Sequence, residues 1–438
     1  MDDADLSDAY WMPFTANREF RRRPRMIVGA SGLQYRTNDG RTVLDATSGL
    51  YCVNAGHCRE PIVAAIAAAA SRLDYAPAFQ FGHPDVFRLA ERLAALAPGD
   101  LDHVFFACSG SEAVETAMKI ALAYHKSRGE GSRTRFVGRE RGYHGVSLAG
   151  LSVGGIPANR KAFGAVLHDA DHLRTTYDRG RQAFSVGEPE WGCELADELE
   201  RVIALHDASS IAAVVIEPVA GSTGCLPPPK EYLERIREIT ARHGILLILD
   251  EVITAFGRLG YAFAAERYGF VPDMIAFAKG VTNGAVPLSG TIVRAGIHEA
   301  LMRGPRHLPE FYHGYTYSGH PLGVAAALAT LDVYRDEGLF ERANGLEEEF
   351  AQMMLSLRRH PAVLDIRPIG LMCGIDLEAG KDGMGTRGYE LMARAFHDCD
   401  LYVRVVADTV ILAPPLIATS NDLDDIRARL GRAISAVC

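Results

Sequence analysis

Four short runs along the chain are apolar almost throughout rather than at every second position: His103–Ala107, Ala212–Ile216, Ile245–Leu249 and Met274–Ala278. Apolar runs of this length predict strands covered on both faces, as in parallel sheets. Between them lie stretches with helical spacing, Ala113–Tyr124, Trp191–Leu205 and Lys230–His243. The last follows Pro227, Pro228 and Pro229 and stops before Gly244, as a helix with a glycine C-terminal stop should. Further on, Ala325–Tyr334 and Gly345–Arg358 read as helices, and Ile369–Leu377 and Thr409–Ala413 as strands. Strands alternating with helices predict an α/β fold built on a mostly parallel sheet. The expected division is an N-terminal segment 1–74, a large unit 75–330 holding the sheet, and a smaller α+β unit 331–438.

Composition changes this picture little. The 438 residues are 48% hydrophobic and 23% charged, with a net charge of −9, which disfavours a nucleic-acid coat. The acidic start Met1–Trp11 has no apolar core and predicts no secretory signal, and the longest apolar stretch, 62–70, is too short to span a bilayer. Eight scattered cysteines show neither paired nor zinc-type spacing, so free thiols and a cytoplasmic location are expected. Glycine is in excess, 43 of 438 residues or about 10% against a usual value of about 7%. That excess points to many tight turns around something.

In open parallel sheets ligands bind beyond the carboxyl ends of the strands. Four strand exits carry polar groups that folding alone does not require. Asp250 follows Ile245–Leu249, and a carboxylate there either caps a turn or holds a cation such as a protonated ring nitrogen. Lys279 follows Met274–Ala278, and burial would favour its neutral, nucleophilic amine. Ser109, Gly110 and Ser111 open a helix, a natural anion site, although Ser109 and Glu112 also have capping-box spacing. Glu217 ends Ala212–Ile216. No nucleotide-binding glycine fingerprint is present. A phosphate site, a strand-end acid and a strand-end lysine together describe pyridoxal 5'-phosphate.

The residues Gly142-Tyr143-His144-Gly145, Glu217-Pro218, Asp250-Glu251-Val252, Ala278-Lys279-Gly280 and the stretch 313–321 resemble the class III aminotransferases in order and spacing. The resemblance runs from Trp11 to Pro415 and is nearest to the β-alanine/ω-amino acid:pyruvate branch, through 48–57 and 281–284. It implies the fold type I architecture and a homodimer, or a dimer of dimers, with shared active sites. It implies Lys279 as the Schiff-base lysine and Asp250 as the partner of the pyridine nitrogen. Val252 and Tyr143 would pack on the two ring faces, with His144 also at the cofactor. Ser109, Gly110 and Ser111 would hold the phosphate, joined by Thr316 of the other subunit, and Glu217 would sit near the ring edge. Arg404 would recognise a carboxylate, while Tyr51, Phe79 and Tyr315 would wall the substrate pocket.

Two departures bear on substrate. Ser222 stands where the ornithine and γ-aminobutyrate branches usually carry a second glutamate, which argues against glutamate as the partner. Tyr51 stands where many amine-accepting relatives carry tryptophan. The implied reaction moves an amino group from an ω-amino acid or amine to pyruvate; the alternatives are an aminomutase or racemase, or another keto acid. His168 and His172 have metal-like spacing but read as a loop, so no metal is expected, and the arginines from Arg18 to Arg25 read as a solvated or interface segment.

Overall fold

The computed structural model describes residue 7 and residues 9–164 and 170–438. Its centre is a seven-stranded sheet whose strands, in chain order, are β1 (Leu101–Ala107), β2 (Arg135–Arg139), β3 (Ala170–Leu173), β4 (Ile211–Ile216), β5 (Leu246–Asp250), β6 (Met274–Phe277) and β7 (Ser289–Arg294). In space they lie β1-β7-β6-β5-β4-β2-β3. The contiguous set from β6 to β3 is parallel, and β7 runs antiparallel to both β6 and β1.

The continuous apolar runs have the expected cause. In β5, Leu247 and Leu249 join the larger core while Leu246 and Ile248 face a second core under helix α1 (Gly110–Ser127). Ile275 and Phe277 of β6 divide from Met274 and Ala276 in the same way. With side chains alternating between faces, both faces must be apolar when both are covered.

Two smaller sheets flank this one. An N-terminal sheet, Ile27–Ser31, Gln34–Thr37 and Thr42–Asp45, is extended by Leu401–Tyr402, which pairs parallel with Thr42–Asp45. A C-terminal antiparallel sheet orders its strands as Val363–Ile369, Met372–Leu377, Thr409–Leu412 and Arg404–Val406.

Several expectations need correction. The single strand expected over 369–377 is the second half of a hairpin that turns at Gly370 (φ +52°), where a Cβ would lie 2.6 Å from the carbonyl oxygen of Arg258. The expected helix Trp191–Leu205 starts as a 3-10 turn, Cys193–Asp197, and becomes α-helical over Glu198–His206. Residues 170–173 are β3 and not a loop; His172 Nε2 lies 3.0 Å from the carbonyl oxygen of Gly154, whereas His168 lies outside the described residues. Among the described residues no helix is long and apolar enough to cross a membrane.

Candidate active site

A cleft of about 180 Å³ opens at the carboxyl ends of the parallel strands. It is lined by the start of α1 (Gly110, Ser111), the turn Tyr143–Gly145, Glu217 after β4, Asp250 and Val252 after β5, and Lys279 after β6. The strand exits singled out above thus converge on one volume.

Lys279 begins a 3-10 turn with φ +47°, a conformation that costs a non-glycine residue of order 1 kcal/mol or more. Burial pushes its amine below the ordinary lysine value, opposed by Cys52, Asp250 and Glu217. Its Nζ lies 5.7 Å from the ring centre of Tyr51. Tyr51 is itself buried at φ +62°, and its hydroxyl donates to the carbonyl of Gly221 at 3.3 Å.

Asp250 is fixed on both oxygens. Oδ2 lies 2.8 Å from Nδ1 of His144, and Oδ1 accepts from the Val252 N–H at 3.1 Å. The His144 side chain is fully buried and its Nε2 has no hydrogen-bond partner among the described residues. His57, the other histidine in a glycine-flanked turn, instead pairs with Asp45 at 2.8 Å in the N-terminal segment. Glu217 accepts from the N–H groups of Tyr143 (2.8 Å) and Gly221 (3.1 Å), and burial raises its carboxyl to about 7.

At the start of α1 the capping and anion-binding readings coexist. Ser109 Oγ accepts from the Glu112 N–H, and the Glu112 carboxylate accepts from Ser109 and Cys108. The N–H groups of Gly110 and Ser111 have no acceptor within the helix, since they belong to its first turn. A Cβ on Gly110 would meet Val252 at 2.9 Å, so glycine is what lets the helix start approach Val252. Ser111 Oγ accepts from the N–H of Val146.

Arg404 lies on an edge strand of the C-terminal sheet, close enough to Tyr51, Tyr143 and Lys279 to bias their protonation, and its buried Nε has no hydrogen-bond partner among the described residues. Phe79, Tyr315 and Thr316 are not at this cleft. Phe79 lines a separate cavity of about 250 Å³ with His313, Gly314 and Ser318, while Tyr315 bonds Thr116 and Thr316 is exposed.

Sequence reasoning did not find Ile253, which also lines the cleft. It also missed Arg258, which is buried and donates to Ser48, Asn54 and the carbonyls of Leu371 and Pro414, bracketing Tyr51. Burial lowers its pKa to about 10. Its acceptors come from separate segments, which no local pattern reveals.

The family model for aminotransferase class-III matches residues 15–434. The chain is a class III aminotransferase. It is 53% identical to an ω-aminotransferase of Caulobacter vibrioides over 98% of both chains. A β-alanine–pyruvate aminotransferase of Pseudomonas aeruginosa is 46% identical over 98% of this chain and 96% of its own. Among solved structures, an amine transaminase from an uncultivated Pseudomonas species, in its PLP-bound form, superposes with a TM-score of 0.92 at 35% identity, covering 99% of this chain and all of the other. The seven-stranded sheet of this aminotransferase and its parallel core agree with that fold type I architecture.

Proposed function

We propose that this aminotransferase uses pyridoxal 5'-phosphate to move an amino group from an ω-amino acid or amine to pyruvate, leaving an aldehyde or ketone and L-alanine. The observation that carries the reading is the convergence of Lys279, Asp250 and the start of α1 on one cleft. The residues present fit the cofactor. Gly110 leaves no room for a side chain beside Val252, the buried His144 Nε2 lacks a hydrogen-bond partner among the described residues, and a strand-end carboxylate is available for a ring nitrogen.

When bound, the cofactor supplies an electron sink for the carbanion formed at the amino-bearing carbon. The rest falls to the protein. Gly110 and Ser111 would hold the phosphate with backbone N–H groups and the positive end of the α1 dipole. Asp250, oriented by His144, would hold a protonated ring nitrogen. Val252 and Tyr143 would pack against the ring. Lys279 Nζ, kept neutral more readily by burial, takes the proton from the substrate carbon and gives it back within the cleft. Arg404 offers its planar fork to a substrate carboxylate.

The pyruvate preference and the β-alanine-like donor are supported by what the relatives are named for and by Ser222 in place of a second glutamate. We place Tyr51 as a wall of the same pocket, and Phe79, Tyr315 and Thr316 as contributions to the site of a second subunit. Pairing of Leu401–Tyr402 with Thr42–Asp45 supports grouping 1–74 with 331–438 against the large unit 75–330. The test is visible absorbance of the purified protein after incubation with pyridoxal 5'-phosphate, discharged by borohydride and absent in Lys279→Ala. Donor-dependent bleaching restored by pyruvate establishes transfer; isomerisation without keto acid would instead indicate a mutase or racemase.

A further inference from the structure

Behind the substrate end of the cleft lies a buried ionic cluster that the reaction itself does not use. Its centre is Arg367 in Val363–Ile369, whose side chain is 3% exposed. Nη1 and Nη2 donate to Asp365 and Asp376, and Nη1 also lies 2.9 Å from the Tyr177 hydroxyl. The Tyr177 ring has two guanidiniums near it, that of Arg367 at 4.5 Å and that of Arg141 at 5.3 Å from its centre. Two arginines and two aspartates balance in charge. Burial alone would raise Asp376, but Arg367 outweighs it and holds the carboxyl below its ordinary value.

The cluster reaches the cleft by two arms. One grips the loop after β4. Arg367 donates to the carbonyls of Gly224 (2.9 Å) and Cys225 (3.3 Å), and Arg141 exchanges hydrogen bonds with Thr223. Within that same loop Gly221 receives the Tyr51 hydroxyl and donates to Glu217. The other arm runs through Asp376 Oδ1, which accepts from Thr409 Oγ1 at 2.7 Å. Thr409 pairs with Val406 on the strand that carries Arg404. The guanidinium of Arg404 therefore rides on a short edge strand whose register is tied to the Gly221–Cys225 loop through Thr409, Asp376 and Arg367.

The geometry points to Arg367, Asp376 and Thr409 as positioning residues that set the separation between Arg404 and the Tyr51 wall, and so set how well the enzyme accepts a donor bearing a carboxylate. This rests on the carboxylate role proposed for Arg404. The gentlest variant is Thr409→Val, which keeps shape and removes one hydrogen bond; Arg367→Lys keeps charge but loses the bidentate fork. Steady-state kinetics with pyruvate fixed would compare β-alanine with an uncharged arylalkylamine in the cofactor-loaded enzyme. For Thr409→Val the KM for β-alanine should rise about tenfold, well inside the roughly hundredfold that 1 Å of misplacement can cost, with kcat on the amine changed less than about twofold. Thr409→Ser should restore the wild-type KM, which a lost methyl contact would not. If Arg367→Lys does not fold, Thr409→Val decides alone. Equal losses for both donors, or none for either, overturn the proposal. Arg404→Ala serves as control: if it discriminates and Thr409→Val does not, only the positioning proposal falls. If Arg404→Ala is itself indifferent to the carboxylate, both readings fall.

Discussion

The cleft at Lys279 and the aromatic stretch 311–320 are both rich in residues of chemical promise, yet the protein treats them in opposite ways. Around Lys279 the groups are enclosed and held by their own chain: Asp250 by His144 and Val252, Glu217 by Tyr143 and Gly221. In the second region Tyr312 is 77% exposed and Tyr317 58%, and the neighbouring Phe79 is 56% exposed. Large aromatics left outside in such a cluster mark a surface meant to be covered. The first region is closed by its own chain. The second is left open for another surface to cover.

The largest expected effect lies in the first of these regions. Lys279→Ala should lower turnover by roughly 10³-fold or more, since it removes the group that moves the proton. Measured half-reactions with β-alanine check this, and residual turnover near wild type would transfer the chemistry to another base. Asp250→Asn comes next. A loss of about 10²-fold in kcat/KM is expected, with weaker cofactor retention on dialysis, because a neutral amide cannot stabilise a protonated ring nitrogen.

Complementation then breaks or sharpens the comparison. Co-refolding inactive Lys279→Ala with inactive Thr316→Arg should restore about a quarter of wild-type activity if a dimer shares its sites, because half the dimers are mixed and each has one intact site. No recovery would return Thr316 to its own subunit. The smallest effect concerns enclosure itself. Burial raises Glu251, which caps Ala264 and Ala265, to about 7. The fold binds that proton more tightly than the unfolded chain, so its contribution is complete below about pH 4.5 and is lost as pH rises through about 7, at most about 3 kcal/mol. Thermal melts of Glu251→Gln should therefore show a flatter decline between pH 5 and 8 than wild type.

Legibility followed burial chemistry. Strands β4, β5 and β6 were readable because both faces are apolar, and the site residues at their ends stood out against that background. Strand β2 was not, because arginines bound its short apolar centre; Arg135 pairs with Asp171 and Arg139 donates to the carbonyl of Glu217. Strand β7 was hidden for a related reason. Its Ser289 and Thr291 look polar, but their hydroxyls donate to the carbonyls of Ser109 and Ala113 in α1 and its cap. The substrate end of the site was the least legible. Arg258 and Arg367 act through carbonyls of distant segments, and only the folded chain brings those together.

The reversed strand β7 has a further consequence, in the order of assembly. Among the described residues it is the only strand paired with β1, and its Ser289 meets Ser109 across 180 residues of sequence. The β5 and β6 exits can meet early, because Asp250 and Lys279 are close along the chain. The helix start that completes their cleft packs on β5 and β6 through α1, while β1, the strand that leads into it, joins the sheet through β7. Contacts between such distant residues are slow to form. A nascent chain stopped short of Ser289 would therefore hold its lysine while β1, the strand leading into the helix start, still lacked its partner strand.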